Sequence, residues 1–208
     1  MLSKQGSGSG EGIFIVVAGP SGVGKTTLCM ELIHQIPDIK FSVSYTTRPP
    51  RPFEVHGKDY FFISEKKFRE RIKKGEFAEW AEKYEFLYGT SKETMTEYLK
   101  KDCDLILAVD THGARTLKVA YPGGIFVFIL PPSLKVLKER LMVRGAEKKA
   151  SLEKRFNNAM EEIKETIWYD YIILNDRLDS AVDHLRGIYL AEKSRRERMT
   201  KKIEDFIT

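Results

Sequence analysis

The strongest constraint on this chain lies near its amino terminus, where the apolar run IFIVVA (13–18) leads directly into GPSGVGKTT (19–27). The run is continuous and rich in β-branched residues, which indicates a buried strand of a parallel sheet. The next segment matches the phosphate-binding pattern G-x-x-x-x-G-K-[ST], and a helix over 26–35 is indicated after it, ending before Pro37. A strand, a glycine loop and a helix in this order predict an α/β protein that binds the phosphates of a nucleotide.

The residue types in this loop suit phosphate binding. Its glycines let backbone N–H groups approach phosphate oxygens without a Cβ atom in the way, and the following helix offers its positive N-terminus to the anion. Lys25 is expected to bring a point charge to the β- and γ-phosphates, and Thr26 to offer a hydroxyl to Mg²⁺ or its water shell. The predicted nucleotide site comprises Gly19, Pro20, Ser21, Gly22, Val23, Gly24, Lys25, Thr26 and Thr27.

Three further apolar runs indicate buried strands at 105–110, 125–130 and 171–174. Helical patterns separate them, at roughly 92–101, 112–119, 133–143, 151–166 and 178–198. Alternating strands and helices predict a parallel sheet with helices on both of its faces. The fold class is therefore expected to be α/β, with the phosphate loop following the first strand of the sheet.

The stretch from Phe41 to Tyr88 departs from this alternation. Its short strands, prolines, aromatic residues and short helix at 65–74 predict an inserted lobe of mixed β/α structure. The Arg- and Lys-rich segment 140–155 is typical of a mobile lid and also of ordinary solvated helices. We therefore expect a disordered Gly/Ser-rich leader at 1–12 and one domain at 13–208, with a core at 13–41 and 92–208, a lobe at 42–91 and a lid at about 140–156.

Charge, hydrophobic patterning and cysteine content argue against several classes of protein. The net charge is +5, but no basic block with interleaved aromatic residues indicates nucleic-acid binding. No apolar run approaches the ~20 residues that a membrane helix needs. The two cysteines, Cys29 and Cys103, form neither a metal-like spacing nor a disulfide framework, and the four histidines are scattered. These features predict a cytoplasmic protein with no membrane or nucleic-acid partner and no zinc site.

A second set of anion-binding residues lies in the inserted lobe. Arg48 and Arg51 flank two prolines in TTRPPRP, and the prolines restrict the backbone that carries both guanidinium groups. Two such forks can capture a phosphate bidentately, and Tyr60 and Tyr88 could add phenolic donors. Asp110, at the end of its predicted strand beside the phosphate loop, is well placed for magnesium or substrate, and also for capping the next helix.

These segments resemble the guanylate kinase family, in the family's order, from about residue 13 to 176. The matching text is GPSGVGKTT, SVSYTTRPPRPFEVHGKDYFFIS, GEFAEWAEKYEFLYGTS, VDTHGA, FILPPS, RLMVRG and DYIILND. The resemblance implies a P-loop NTPase-type parallel sheet core flanked by helices, an inserted mixed β/α GMP-binding lobe and a short helical lid. It also implies an enzyme that transfers the γ-phosphoryl group of ATP to GMP or dGMP with Mg²⁺, giving ADP and GDP or dGDP.

Carried over by position, the resemblance also implies roles for individual residues. The GMP site would comprise Ser44, Arg48, Arg51, Tyr60, Glu79, Tyr88, Thr90 and Asp110, with Glu79 and Thr90 reading guanine. The catalytic set would comprise Lys25, Arg48, Asp110, Arg140, Arg144 and Arg155, and Asn175 would lie near the adenine of ATP. A carboxylate suits guanine because its N1–H and N2–H₂ donors lie side by side, whereas N1 of adenine is an acceptor.

The chain departs from the family at one strand end. The family usually has D-[IV]-D-x-Q-G there, whereas this chain has Ala108 for the first acid and His112 for the glutamine. In a strand, residues 108 and 110 point to the same face, so that face is expected to carry one carboxylate where relatives carry two. We therefore expect weaker GMP binding than in typical relatives, with the chemistry retained. A compensating contact from His112 is a further hypothesis.

Three alternatives stay open on sequence alone. A guanylate-kinase-like binding module of a scaffold protein shares the fold without catalysis, but such modules typically have a degraded phosphate loop. A kinase of another phosphorylated acceptor, such as a sugar phosphate, needs no guanine reader, which Glu79 and Thr90 provide. A nucleic-acid-binding role depends on the net charge and on the tail EKSRRERMTKKIEDF, whose mixed signs favour a solvated helix. A monomer and a homodimer are equally compatible with the sequence.

Overall fold

The computed structural model describes residues 12–101, 103–144 and 149–207, leaving out the side chains at 143, 144, 149–151, 201 and 202. The strands are β1 (Phe14–Ala18), β2 (Lys40–Phe41), β3 (Tyr45–Thr46), β4 (Phe61–Phe62), β5 (Phe77–Lys83), β6 (Phe86–Ser91), β7 (Leu105–Ala108), β8 (Ile125–Leu130) and β9 (Tyr171–Leu174). The helices are α1 (Lys25–Gln35), α2 (Glu65–Lys73), α3 (Lys92–Lys100), α4 (Thr111–Ala120), α5 (Leu134–Arg144), α6 (Lys149–Lys164), α7 (Leu178–Lys193) and α8 (Arg196–Ile207), with a 3₁₀ turn at Glu165–Trp168. The leader expected at 1–12 lies, apart from Gly12, outside the described residues.

The core is a parallel sheet of five strands in the order β2-β7-β1-β8-β9. Strand β1 is buried along its whole length, so alternate side chains enter the apolar clusters on opposite faces of the sheet. Helices α1 and α7 contribute to one cluster, and α3 and α4 contribute to the other. The structure therefore confirms the α/β class with helices on both faces, and burial on both sides explains the apolar runs of β1, β7 and β8. The burial expected at 171–174 is wrong, because β9 is the edge strand and leaves Ile172 54% and Leu174 45% exposed.

The inserted segment forms a second sheet, which is mixed. Its strand order is β4-β3-β6-β5, with β3 and β4 parallel and the other pairs antiparallel. A separate small core closes it, in which the rings of Phe68 from α2 and Phe77 from β5 stack with centroids 4.4 Å apart. This confirms the predicted mixed lobe. The limits set for the lobe at 42–91 and for the lid at about 140–156 stay predictions.

Two expected boundaries are wrong. The helix expected over 178–198 ends at Lys193, and α8 begins at Arg196. The hydroxyl of Ser194 donates to the carbonyl of Leu190, and such local bonds compete with helix continuation. The strand expected over 105–110 ends at Ala108, because Asp110 caps α4 and belongs to the next element.

The pairing of β1 with β7 brings the phosphate loop and Asp110 together. Strands β1 and β7 are neighbours, with Val17 paired to Ala108, so the phosphate loop and Asp110 leave the sheet at the same edge. Ligands of open α/β sheets bind beyond the carboxyl ends of the strands, which places the candidate site there. Within the described part of the chain, no helix combines the length and the apolar character that crossing a membrane requires.

Candidate active site

A cleft of about 1100 Å³ lies between the carboxyl edge of the core sheet and the inserted lobe. Most of the residues predicted for the site line it: Ser21, Gly22, Gly24, Lys25, Thr26, Thr27, Ser44, Arg48, Arg51, Tyr60, Glu79, Tyr88, Asp110, Arg140 and Arg155. Gly19, Pro20, Val23, Thr90 and Asn175 are buried behind this surface. The side chain of Arg144 lies outside the described part of the structure, so its role stays a prediction. The phosphate loop and the arginines of the lobe thus face one shared space.

The phosphate loop is held in the shape that anion binding needs. Gly24 precedes α1 with φ +98°, a backbone conformation that residues with a Cβ atom rarely adopt. The ammonium of Lys25 donates to the carbonyls of Gly19 at 2.6 Å and Pro20 at 3.0 Å, which keeps the charge over the loop. Thr26 and Thr27 are exposed in the first turn of α1, so their hydroxyls face the cleft. The helix N-terminus and the lysine therefore present positive charge to the same space.

Asn175 supports the loop from below. Its side chain is buried, with 5% exposed, and donates to the carbonyl of Val23 at 2.8 Å. A Cβ atom on Gly24 would lie 2.8 Å from the Asn175 amide nitrogen, so the glycine also permits this close packing. The backbone carbonyl of Asn175 accepts a long hydrogen bond from the guanidinium of Arg140 at 3.5 Å. The described contacts make Asn175 a support of the loop, and its predicted position near adenine stays untested.

Glu54 holds the arginine pair of the lobe, a role that the sequence analysis missed. Nη2 of Arg48 donates to both carboxylate oxygens of Glu54, at 2.8 and 2.9 Å, and the backbone N–H of Arg51 donates to the same carboxylate at 2.7 Å. Partial burial acts to raise the pKa of Glu54, but its bonds to the two arginines outweigh this and lower it. The available signal was an acid three residues after Arg51 in a proline-stiffened loop.

Aromatic rings surround the Arg48 guanidinium. It lies 5.6 Å from the ring centre of Tyr60, which meets the ring of Tyr88 edge-on at 6.1 Å. Burial opposes the charge on Arg48, yet the Glu54 carboxylate prevails and the arginine pKa is raised. Ser44 completes this wall of the cleft. The result is a cationic and hydroxyl-bearing surface opposite the phosphate loop, as phosphate capture requires.

Glu79 is an almost fully buried carboxylate, with 6% exposed, that lines the cleft. Its Oε1 accepts from the hydroxyl of Thr90 at 2.6 Å, across the β5–β6 pair. Burial raises the pKa of Glu79 to about 7, with the Asp110 charge adding to this and Thr90 opposing it. A Cβ atom on Gly113 would lie 2.6 Å from Oε2 of Glu79, so the first turn of α4 leaves room only for a glycine. Two neighbours therefore fix the direction of this carboxylate.

With GMP as the acceptor that the family resemblance implies, we predict that Gly113→Ala raises the KM for GMP by about tenfold, because the added methyl group displaces the Glu79 carboxylate. The backbone of Gly113 is helical and alanine favours helices, so the melting temperature should not fall through backbone strain. Gly187→Ala is the matched control, since a Cβ atom in the middle of α7 meets nothing within 4 Å. Steady-state kinetics with GMP and ATP varied separately check this. An unchanged KM for GMP in Gly113→Ala would contradict the packing argument.

Asp110 lies two residues beyond the end of β7, and its Oδ1 accepts from the backbone N–H of Gly113 at 2.9 Å. Its backbone is extended, and Ala108, Val109 and Asp110 all line the cleft. His112 is exposed and does not line the cleft, so the structure gives no support to a compensating contact there. Among the described residues at the end of β7 that line the cleft, Asp110 is the one that carries a carboxylate.

Ala108→Asp should therefore strengthen GMP binding, because it restores a second acceptor on the cleft face of β7. We expect the KM for GMP to fall by about fivefold, which equals about 1 kcal/mol, with kcat little changed. Ala108→Asn is the matched control, because it adds the same shape without the charge. A KM for GMP that stays level or rises in Ala108→Asp would refute this explanation of the missing acid.

Lys83 is a second residue that the sequence analysis missed. Its ammonium lies 2.6 Å from Oε1 of Glu162 on α6 and 3.7 Å from Oδ2 of Asp110. Burial opposes the charge, but the two carboxylates prevail and the pKa of Lys83 is raised. No sequence pattern indicates this contact, because Lys83 and Glu162 are 79 residues apart.

A complete phosphate loop on a parallel sheet, facing a separate cationic lobe across one cleft, defines a P-loop phosphotransferase that acts on a phosphorylated acceptor. The family model described as guanylate kinase matches residues 12–192. The chain belongs to the guanylate kinase family.

Individual relatives agree with this assignment over nearly the full length. The guanylate kinase of Syntrophus aciditrophicus is 51% identical over 203 residues, covering 98% of this chain and 97% of that protein. The guanylate kinase of Geobacter metallireducens is 48% identical, covering 94% and 96%. The crystal structure of guanylate kinase from Anaplasma phagocytophilum superposes with a TM-score of 0.75 at 29% identity, covering 91% and 90%. These matches favour the guanylate kinase interpretation over the binding-module and sugar-phosphate alternatives.

Proposed function

We propose that this chain transfers the γ-phosphoryl group of ATP to GMP or dGMP, giving ADP and GDP or dGDP. The single observation that carries the proposal is Glu79, a buried carboxylate oriented by Thr90 in the same cleft as the phosphate loop. Guanine offers two adjacent donors to such a group, whereas adenine would leave the buried acceptor unpaired. Family membership and the names of the relatives support the same reaction.

The proposed reaction forms one bond and breaks one. A phosphate oxygen of GMP attacks the γ-phosphorus of ATP, and the bond from that phosphorus to the bridging oxygen of ADP breaks. The GMP phosphate has a second pKa of about 6, so it is largely ionised at neutral pH and needs no general base. Catalysis then consists of positioning the two phosphates and offsetting their negative charge, which suits a site rich in arginine and lysine.

The site residues divide between those that bind ATP, the phosphoryl donor, and those that bind GMP, the phosphoryl acceptor. We assign the ATP phosphates to the loop 19–27 with Lys25, and the GMP phosphate to Arg48 and Arg51 with the hydroxyls of Ser44, Tyr60 and Tyr88. Arg140 and Arg155 line the same cleft and are assigned to the transferring phosphoryl group. We keep Arg144 in this set because of the family pattern, and Asn175 near the adenine side of the loop.

Mg²⁺ is part of the proposal as the partner of ATP. It binds proteins through one or two oxygen ligands and takes the rest of its coordination from phosphates and water. The exposed hydroxyl of Thr26, next to the loop, fits that requirement, and the carboxylate of Asp110 faces the same cleft. When bound, the ion would neutralise part of the phosphate charge.

A coupled assay of ADP release tests the proposal directly. Purified protein is given ATP and Mg²⁺ with GMP, dGMP, AMP, UMP or a sugar phosphate as the acceptor. We expect turnover with GMP and dGMP only. Equal turnover with AMP would remove the guanine-reading role from Glu79, and turnover with a sugar phosphate alone would replace the proposed reaction.

A further inference from the structure

The tip of the β5–β6 hairpin contacts helix α6. The turn residues Tyr84 and Glu85 both have positive φ angles, 53° and 68°, which is the backbone of a type I′ hairpin turn. Neither residue is a glycine, so the turn carries a conformational cost of about 1 kcal/mol or more for each of them. Contacts made by a turn side chain can offset this cost, and the ring of Tyr84 lies against Arg155 of α6.

Three residues of α6 interact with the side chains of Lys83 and Tyr84 at the hairpin tip. The guanidinium of Arg155 lies 4.8 Å from the ring centre of Tyr84, and Glu162 pairs with Lys83 at 2.6 Å. The side chain of Asn158 acts on the Tyr84 hydroxyl and opposes the rise that burial causes in its pKa. Positions 155, 158 and 162 are three and four residues apart, so they lie on one face of the helix. The hairpin thus contacts a continuous stripe of α6 that ends at a cleft-lining arginine.

We propose that Tyr84 is a positioning residue for Arg155, and that the Lys83–Glu162 pair fixes the register between the hairpin and α6. This inference rests on the phosphotransfer proposed above, in which Arg155 faces the transferring phosphoryl group. The aromatic face restricts a side chain that otherwise has many rotamers, so less freedom remains to be lost when the substrates bind.

The Lys83–Glu162 ion pair is largely buried, so it can fix the position of the hairpin along α6. The side chains of Lys83 and Glu162 are 19% and 12% exposed, and the carboxylate of Asp110 also faces the ammonium. Lys83 and Glu79 belong to the same strand, β5. The strand that carries Glu79 is therefore linked by this ion pair to the helix that carries Arg155.

Tyr84→Ala and Tyr84→Phe form the first comparison. Alanine removes the ring under Arg155, so kcat should fall by about tenfold with the KM for GMP little changed. Phenylalanine keeps the ring and should retain kcat within about twofold. Thermal melting reports whether each variant folds. If Tyr84→Ala does not fold, Tyr84→Leu replaces it, because leucine keeps apolar volume without an aromatic face.

The decisive measurement is the kcat of the double variant that combines Tyr84→Ala with Arg155→Ala. If Tyr84 acts through Arg155, adding Tyr84→Ala to Arg155→Ala lowers kcat no further, and adding Glu162→Gln also has no effect. A tenfold loss that persists in the Arg155→Ala background would overturn the proposal, as would a Tyr84→Ala variant with the kcat of the parent protein. A residue that merely stabilises the fold would move the melting temperature in both backgrounds alike.

Two controls separate this inference from the proposed function. Glu165→Gln removes an exposed ion pair with Arg115, just beyond α6 and outside the cleft, and should leave kcat unchanged. The parent protein is assayed first with the acceptor panel. Absence of GMP turnover there refutes the proposed function, and the Tyr84 comparison is then made with the acceptor that is used. Normal GMP turnover with no Tyr84 effect refutes only the positioning role.

Discussion

Lys25→Ala is expected to lower kcat/KM by about a thousandfold, because it removes the positive charge that the loop aims at the transferring phosphate. In the structure this ammonium is held over the loop by the carbonyls of Gly19 and Pro20, so little reorganisation is needed when phosphates arrive. Alanine is a strong helix former at this first residue of α1, so the fold should persist. Coupled ADP release with ATP and GMP measures the loss, and thermal melting confirms folding.

Lys40→Ala is the matched control for this prediction. The ammonium of Lys40 also donates to a backbone carbonyl, that of Pro37 at 3.2 Å, but it is exposed and does not line the cleft. Its loss should leave kcat/KM unchanged. If Lys25→Ala kept a third or more of the parent activity, the phosphate loop would not be the catalytic donor site.

Much of the core could be predicted because its signals are local. The strand at 125–130 and the strand at 171–174 match β8 and β9 residue for residue, since each is a continuous apolar run bounded by turns. Helix α1 begins one residue earlier than predicted, at Lys25, because Gly24 takes the capping conformation. In β8 and α1 local propensity and tertiary burial favour the same structure, whereas β9 is only partly buried.

The omissions arise from side-chain contacts that the fold creates, whereas the boundary errors arise from local hydrogen bonds. Glu54 is a polar side chain among many in the sequence, and only the fold shows that its carboxylate binds Arg48 and the Arg51 backbone. The same holds for Lys83 on β5 and Glu162 on α6, which form an ion pair at 2.6 Å. The assignment of Asp110 to a strand failed because its side chain bonds to the first turn of α4, a local alternative to pairing.

The residue roles that the family resemblance implies could be predicted only in part from the sequence. Ser44, Arg51 and Tyr88 do line one cleft, so spacing in the sequence translated into proximity in space. Asn175 does not line it and donates to the carbonyl of Val23, and its position relative to adenine stays a prediction. A pattern of residue types can predict that a residue belongs to a site, but the direction in which its side chain points depends on packing.

The pH dependence of GMP use should report on Glu79. Burial raises the pKa of this carboxyl from 4.5 to about 7, so the folded protein keeps a proton there that the unfolded chain releases. Its contribution to stability is therefore fully present below pH 4.5 and is lost as the pH rises through about 7. Guanine recognition has the opposite requirement, because only the ionised carboxylate can accept from both N1–H and N2–H₂.

We expect kcat/KM for GMP to fall by about tenfold between pH 8 and pH 6, as Glu79 takes up its proton. The GMP phosphate, with a pKa of about 6, titrates in the same range and must be separated from this effect. Glu79→Gln provides that separation, since it removes the titrating carboxyl and leaves the phosphate as it is. The ratio of the parent kcat/KM to that of the variant, measured across the pH range, isolates the carboxylate.

Glu79→Gln should also lower kcat/KM for GMP by at least about a hundredfold at pH 8, because an amide can accept from only one of the two guanine donors. The parent protein should approach the variant as the pH falls, since a protonated carboxyl and an amide offer guanine similar groups. A ratio that stays constant from pH 6 to pH 8 would mean that Glu79 is already ionised throughout, and its burial against Thr90 and Gly113 would then be compensated by charges in the cleft.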